Sequence, residues 1–213
     1  MDSFFPSGGY AFSSGLEAAV QHGALHSAED VRGYVAGLLV RELGVREAVA
    51  VAEAQKAAER GELKRALLAD CELDAMMVCR ETRLASRQMG RQVYRIAASH
   101  GPLLKEFQVT AEAGRTPGHL PVSLGLALGA CGWEKEAAIA AYLYQSSVGL
   151  VSAALKLLRI GQGEAQHLLE SLLPLIERLS REAAQPRPMS CWAPLEEIYA
   201  MRHAQLDMRL FRS

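Results

Sequence analysis

The chain of 213 residues is 50% hydrophobic and 22% charged, which provides enough apolar material for a substantial core and excludes extensive disorder. Its 23 basic and 24 acidic residues give a formal net charge of -1, so the overall charge offers no footprint for nucleic acid. The four cysteines form no C-x-x-C pair and no dense framework of the secreted type. The chain also opens without a signal-peptide pattern, so we expect reduced thiols in a cytoplasmic protein.

Helical periodicity begins after a glycine-rich opening. Leu16–Gln21 predicts a short first helix that Gly23 can end. Ser27, with Asp30 three residues later, has the form of a capping box and predicts the start of a second helix. Gly44 is expected to end that helix. The core-facing stripe of the second helix has i, i+3, i+4, i+7 and i+8 spacing and comprises Val31, Tyr34, Val35, Leu38 and Leu39.

Further helical patterns follow, separated by glycine and proline. They comprise residues 45–60, 63–77, 78–99, 103–112, 120–131, 134–159 and 166–182. The patterns at 63–77 and 78–99 are expected either as two helices or as one long kinked helix. The sequence has no strand-like alternation between hairpin turns and no repeat of fixed period. The prediction is an all-α fold, a single compact domain of about nine helices with a partly extended C-terminal tail.

The composition changes at residue 185. Residues 1–184 form the predicted helical domain. The stretch QPRPMSCWAP opens residues 185–213 as a linker that proline keeps out of helix. Basic and apolar residues then interleave in a semi-helical tail, which we expect to bind a partner.

Residues 137–155 are long enough to span a membrane and carry no formal charge. Gln145 and three serines interrupt their apolar character, and charged residues flank them, so a buried core helix is favoured over a membrane span. Gly125 and Gly129 lie four residues apart on the preceding helix. This spacing predicts a close approach to another helix in the core.

The opening stretch FFPSGGYAFSSGLE, residues 4–17, is rich in glycine, serine and aromatic residues. It lacks the order of a phosphate-binding P-loop, and no lysine precedes Lys56. Ser14 and Gly15 also lack the pattern of a nucleophile elbow. Two interpretations stay open: a glycine-permitted turn that leads into the first helix, or a tight path that presents aromatic side chains to a partner. Those aromatic residues are Phe4, Phe5, Tyr10 and Phe12.

Five arginines follow one face of the helix predicted at residues 78–99, at spacings of 3, 4, 4 and 4: Arg80, Arg83, Arg87, Arg91 and Arg95. One interpretation is a solvated face that pairs with neighbouring acids such as Asp74. Another is a docking face for an acidic protein surface, because arginine makes bidentate contacts with carboxylates. Nucleic acid is the weakest choice, since no aromatic residues interleave with the arginines.

The remaining titratable residues form no recognisable catalytic pattern. His22 and His26 have i, i+4 spacing, but Gly23 and Ser27 indicate a helix break between them. The sequence shows no paired carboxylates, no Cys/His arrangement and no cluster with metal-ligand spacing. The residues therefore predict a binding module without a cofactor or a metal, rather than an enzyme.

Several segments, in chain order, resemble the UreF family of urease accessory proteins. The opening loop is similar to the family's P-x-G-G-[FY]-x-x-S-x-G-L-E stretch, through residues that include Tyr10, Ser13 and Glu17. The segment ETRLASRQMGRQ, residues 81–92, resembles the family's arginine-rich central helix. The other matching segments are GHLPVSLGLALGACGW, AAYLYQSSVGLVSAALKLLRIGQGEAQ and the closing MRHAQLDMRLFRS.

The resemblance implies an all-helical, dimer-forming protein without a reaction of its own. Members of this family join the scaffold protein UreD, also called UreH, and with it recruit the GTPase UreG to apo-urease for nickel insertion. The implied partners are therefore UreD/UreH, UreG, the urease apoprotein and a second copy, with neither nucleic acid nor membrane. The implied partner-binding residues are Tyr10, Ser13, Glu17, Arg83, Arg87, Arg91, Lys156, Gln162, Gln166, His203, Arg209, Leu210 and Phe211.

Lys156 matches the basic position in the family's most characteristic segment, with Gln162 and Gln166 beside it. A cation supplied in trans to the transferring phosphate accelerates a GTPase, so Lys156 is the first candidate for regulating UreG. The alternative is a lysine near a helix C-terminus, where the helix dipole favours it. A second class of function also stays open, a helical scaffold or adaptor that bridges partners without affecting GTP turnover.

Overall fold

Helices account for all regular secondary structure in the computed structural model, which describes residues 12–212. Within that range nine helices share one core, so the predicted all-α class is confirmed. Their bounds are Leu16–Gln21 (α1), residues 28–60 (α2), Leu63–Met76 (α3), Arg80–Ala97 (α4), Pro102–Glu112 (α5), Leu120–Ala130 (α6), Lys135–Leu157 (α7), Gln162–Ala184 (α8) and Pro194–His203 (α9). The predicted display of Phe4, Phe5 and Tyr10 lies outside the described residues.

Helix α2 starts where the sequence predicts it. The amide of Asp30 donates to Ser27 Oγ (3.2 Å) and the amide of Ser27 donates to Asp30 Oδ2 (3.0 Å), which completes the capping box. The expectation that Gly44 ends this helix is wrong. Leu39–Glu47 forms π-helical turns that join the two flanking α-helical segments without a break.

Gly44 permits α8 to pack closely on α2. A Cβ at this position would lie 2.6 Å from the carbonyl oxygen of Leu39 and 3.0 Å from Cδ1 of Leu179 on α8. Glycine is therefore kept here by packing, and its weak helix propensity does not decide the local structure. The helix ends instead at Gly61, whose φ of 68° is the left-handed conformation of a helix C-cap.

Helices α3 and α4 are separate, so the alternative of one kinked helix does not apply. The backbone is extended at Met77 (φ -85°, ψ 95°) and at Cys79 (φ -70°, ψ 119°), which breaks the helical path between them. Farther along α4, Gly90 lies against the loop that precedes α6. A Cβ on Gly90 would collide with the carbonyl oxygen of Gly118. This close contact packs one side of α4 against the core and leaves the arginine side toward solvent.

Helix α6 packs along α2 through its two glycines. A Cβ on Gly125 would lie 2.6 Å from the carbonyl oxygen of Val51, and one on Gly129 would lie 2.8 Å from that of Gln55. The predicted close approach of two helices is confirmed. The small side of α6 thereby brings its backbone almost into contact with that of α2.

Helix α7 is, within the described residues, the one helix that length and composition would allow to cross a membrane. Half of the apolar 18-residue stretch of this helix is buried inside the protein. Ile139, Leu143 and Leu150 belong to the common core, and α8 packs along the helix. This packing agrees with the predicted core helix.

Candidate functional site

The chain enters α1 through a tight turn at Ser14 and Gly15. Both residues have left-handed backbone, with φ of 49° and 83°. A Cβ on Gly15 would lie 2.7 Å from the amide nitrogen of Ala200 on α9. Glycine is therefore favoured here both by the backbone conformation and by the close passage of α9. The structure at Ser14 and Gly15 agrees with the first interpretation of the opening stretch, a glycine-permitted turn that leads into the first helix. Phe12, just before the turn, is half-buried.

Glu17 on α1 carries a buried carboxylate, with the residue 1% exposed. Oε1 accepts a hydrogen bond from the amide of Leu210 (2.7 Å), and Oε2 accepts one from the amide of Phe211 (3.1 Å) and lies 2.7 Å from Nε2 of His203. Burial acts to raise the pKa of Glu17, but these hydrogen bonds outweigh it, and the pKa lies below its ordinary value. The charged carboxylate thus fastens the docked tail, residues 204–212, to the first helix.

Lys156, near the C-terminal end of α7, meets the same tail. Its Nζ lies 5.3 Å from the centroid of the Phe211 ring, a cation–π contact. The Phe211 side chain is buried, whereas Lys156 is exposed. Gln21 adds a hydrogen bond from Nε2 to the carbonyl oxygen of Met208 (3.1 Å). The tail is consequently held by α1 on one side and by α7 on the other.

Many of the predicted partner-binding residues converge at this corner of the fold. They are Ser13, Glu17, Lys156, His203, Leu210 and Phe211. Arg209 is exposed on the docked tail. Gln162 and Gln166 are exposed on α8, and Gln166 Nε2 donates to Glu170 Oε1 (3.1 Å) rather than to the tail. Tyr10 lies outside the described residues, and the predicted arginines are on a different helix, α4.

Helix α9 turns its apolar side outward. Its buried residues are Glu196, Ala200 and His203. The exposed apolar side chains on and around this helix, here termed the α9 apolar face, are Trp192, Leu195, Ile198, Met201, Met208 and Leu210. Their exposed fractions run from 40% for Met201 to 81% for Met208. Leu195, Ile198 and Met201 share the side of α9 opposite its buried residues, and an exposed apolar stripe of this kind marks an interaction site.

The sequence predicted a partner-binding tail but missed the α9 apolar face. The spacing of Leu195, Ile198 and Met201, three residues apart, is the signal that could have found it. That spacing is equally typical of a stripe that faces the core, and only the structure shows that this side of the helix faces solvent.

The linker before α9 is fixed to the π-helical turns of α2. The amides of Ser190 and Trp192 donate to the carbonyl oxygens of Val45 and Arg41, both at 3.0 Å. Arg41 also forms an ion pair with the buried carboxylate of Glu196 on α9. These contacts set the position of the α9 apolar face.

A buried cluster of charges lies beneath the linker. The Arg46 guanidinium lies 2.5 Å from Glu42 Oε1, 3.1 Å from Glu47 Oε1 and 3.4 Å from Cys191 Sγ. Tyr142 on α7 donates its hydroxyl to Glu47. Burial raises the pKa of Glu42 to about 7. The positive charge of Arg46 acts to lower this pKa, but Arg46 also pairs with Glu47, and the negative charge of Glu47 raises the pKa further.

The arginine stripe on α4 contains paired and unpaired members. Arg87 Nη2 lies 2.5 Å from Asp74 Oδ1, and the same oxygen is 2.9 Å from His119 Nε2. Arg95 Nε lies 2.9 Å from Glu112 Oε1. Pairing with neighbouring acids therefore accounts for these two arginines, as one interpretation of the stripe expected.

A held tail and an outward apolar helix are features of a protein that works by binding other proteins. No group of three or more His, Cys, Asp or Glu side chains in residues 12–212 is arranged to hold a metal ion. The family model for UreF matches residues 25–173. The chain belongs to the UreF family of urease accessory proteins.

Curated relatives are similar over nearly the whole chain. The urease accessory protein UreF of Trichodesmium erythraeum (strain IMS101) is 29% identical over 99% of this chain and 92% of its own. The UreF of Bacillus sp. (strain TB-90) is 29% identical over 100% and 95%. The UreF of Actinobacillus pleuropneumoniae is 30% identical over 100% and 96%. Family membership implies a urease maturation accessory protein, and these relatives are named as accessory proteins rather than as enzymes.

Replacing Glu17 tests whether its charge holds the tail. Glu17→Gln should loosen residues 204–212, because a neutral amide oxygen accepts weaker hydrogen bonds than a carboxylate does. Hydrogen exchange at the amides of Leu210 and Phe211 should accelerate by about ten-fold or more. Glu164→Gln, at an exposed position on α8, is the matched control and should leave both rates unchanged. Equal exchange in the wild type and Glu17→Gln would contradict the assignment.

The raised pKa of Glu42 predicts a pH dependence of stability. The folded chain holds this proton more tightly than the unfolded chain, in which glutamate titrates near 4.5. The stabilisation is therefore complete below about pH 4.5 and is lost as the pH rises through about 7. Between about pH 5 and about pH 8 the free energy of unfolding, measured with urea, should fall on the order of 2 kcal/mol further in the wild type than in Glu42→Gln. Parallel pH curves for the two proteins would refute it.

Proposed function

We propose that this chain binds the UreD/UreH scaffold and recruits or regulates the UreG GTPase for nickel insertion into apo-urease in the cytoplasm. It acts by binding these proteins and has no reaction of its own. Membership of the UreF family supports the pathway. The observation that carries the proposal is the α9 apolar face, whose side chains are exposed to solvent and available to a partner.

The α9 apolar face is proposed as the site for UreD/UreH. Tryptophan and methionine are among the residue types enriched in protein interfaces, and the face contains both. The backbone of this region is fixed, because the linker bonds to α2 and the docked tail bonds to Glu17. A surface that is already ordered loses less conformational entropy on binding. These features suit a stable contact with a scaffold.

Lys156 is proposed to act on UreG. Its ammonium group is exposed near the end of α7, and a cation at a transferring phosphate stabilises the charge of the transition state. The same group lies against the ring of Phe211 on the docked tail. A scaffold that binds beside the tail therefore acts on the orientation of Lys156. Scaffold binding and GTPase regulation would then be coupled through one side chain.

A second copy of the chain is proposed to cover the open groove between α7 and α8. The groove has a volume of about 840 Å³, and small residues such as Ala137 and Ala140 line it. Trp133, Tyr144 and Leu173, each 43–46% exposed, lie along it. Exposed aromatic side chains beside a floor of small ones suit the close packing of a homodimer interface. This groove shares no residue with the α9 apolar face, so both surfaces remain available to the complex.

The competing function is a scaffold that bridges its partners without affecting GTP turnover. One observation favours it: the contact with Phe211 gives Lys156 a packing role that needs no GTPase. GTP hydrolysis by UreG in the assembled complex, measured with and without this chain, separates the two functions. A rate that does not respond to the chain supports the scaffold alone.

A charge placed in the α9 apolar face should prevent scaffold binding. Ile198 and Met201 are 45% and 40% exposed, so Ile198→Asp with Met201→Asp should leave the fold intact while the buried charges oppose an apolar interface. Pull-down of UreD/UreH should be lost. Leu173→Asp, in the groove between α7 and α8, is the control and should weaken self-association while retaining UreD/UreH. Unchanged pull-down by the double variant would remove the proposed site.

Removal of the Lys156 ammonium should separate binding from activation. Lys156→Ala should fold and bind UreD/UreH as the wild type does, yet lower urease activation and the GTP turnover of the complex. Lys156→Arg keeps a cation at this position and should retain most of the activation. Circular dichroism checks the fold, and urease activity after nickel loading gives the readout. Full activation by Lys156→Ala would sink the assignment.

A further inference from the structure

Arg87 is fixed at the centre of the arginine stripe by a network that reaches the core. Asp74 pairs with both Arg87 and the buried ring of His119. The amide of His119 donates to Asp70 Oδ1 (2.9 Å), and its Nδ1 lies 3.0 Å from Ser86 Oγ. Burial lowers the pKa of His119, so the ring is neutral near pH 7 and Asp74 is left to balance Arg87. Arg87 therefore serves the fold.

The arginines on either side of Arg87 have no such partner. Arg80, Arg83 and Arg91 form no ion pair with any residue between 12 and 212. Arg80 and Arg83 also lie at the start of α4, where the helix dipole disfavours a cation. Leu84 lies among them and is 49% exposed. This part of the α4 surface thus combines arginines that lack an ion-pair partner with an exposed leucine.

We propose that Arg83, Leu84 and Arg91 form a docking face for an acidic α-helix of another protein. Arg83 and Arg91 are eight residues apart, which places them about 12 Å apart along α4. Carboxylates at every fourth residue of a partner helix recur about every 6 Å, so every second one meets an unpaired arginine. A row of apolar side chains on that partner covers Leu84.

Charge and composition distinguish this partner from nucleic acid. Single-stranded nucleic acid is bound by cations together with aromatic platforms for the bases. The exposed residues between the arginines are Leu84 and Gln88, neither of which provides a platform. An acidic helix needs only the cations and the leucine. The face on α4 shares no residue with the surfaces proposed for UreD/UreH and UreG, so the proposal does not depend on the urease assignment.

A designed peptide tests the face directly. The probe is a capped helical peptide of about six turns with Glu at every fourth position beside a row of Leu, and its match has Gln for each Glu. Fluorescence anisotropy measures the affinity of the full chain for each peptide and for a single-stranded oligonucleotide. The test variant is Arg83→Glu with Arg91→Glu. Arg178→Glu, at an exposed arginine of α8, is the control, and circular dichroism checks that both variants fold.

The expected result has three parts. The wild type binds the Glu peptide in preference to the Gln peptide, and added salt weakens the binding because Arg91 is exposed and Arg83 is only half-buried. The double variant loses about ten-fold or more in affinity, while Arg178→Glu keeps the wild-type value. Absence of binding, equal binding of the Gln peptide, or equal losses in the test and control variants would overturn the proposal. Tighter binding of the oligonucleotide, lost in the double variant, would also overturn it and assign the face to nucleic acid.

Discussion

A single buried carboxylate joins the first helix of the described chain to its last residues. Glu17 interacts with His203, Leu210 and Phe211, which lie 186 to 194 positions later. A buried charge is costly unless its oxygens are bonded, so α1 can bury Glu17 only when the tail is in place. The attachment holds Phe211 beside Lys156, while the turn at Gly15 lets α9 pass close to the start of α1. The conformation of the proposed UreG-regulating residue thus depends on a contact made by a different helix.

A second attachment, at the π-helical turns of α2, places the linker that leads into α9. The carbonyl oxygens of Arg41 and Val45 receive two linker amides, and Arg41 reaches the buried Glu196. The charged cluster around Arg46 lies directly below, so the linker covers groups that would otherwise meet solvent. Together the two attachments leave α9 little freedom and keep its apolar side outward. A surface of this kind is ready for a partner without further folding.

The sequence predicted the helices well because apolar spacing is a local property of the chain. Gly44 was misread because the helix continues through π-helical turns, where a Cβ would meet both the Leu39 carbonyl oxygen and the side chain of the distant Leu179. The arginine stripe was visible in the spacing, yet nothing local distinguishes Arg87 from Arg83. Only the path of α3, which brings Asp74 alongside, decides which of them is paired.

The candidate site depends even more on contacts between residues that are distant in the sequence. Resemblance to a family indicated Glu17, Lys156 and His203 one by one, but no pattern in a single sequence joins positions so far apart. Their convergence depends on the packing of α1, α7 and α9, which periodicity does not specify. The outward direction of α9 was missed for the same reason, since an apolar stripe does not say whether it faces the core or solvent.

The attachment at Glu17 also has a consequence for synthesis. A ribosome produces Glu17 long before it produces His203, which lies 186 positions later. Until residues 203–211 are released, the carboxylate of Glu17 has none of its three partners, and α9 is not yet seated. A chain interrupted before that point therefore lacks the proposed scaffold surface, although most of its helices are complete. Recruitment by the proposed scaffold would then select for molecules translated beyond residue 211.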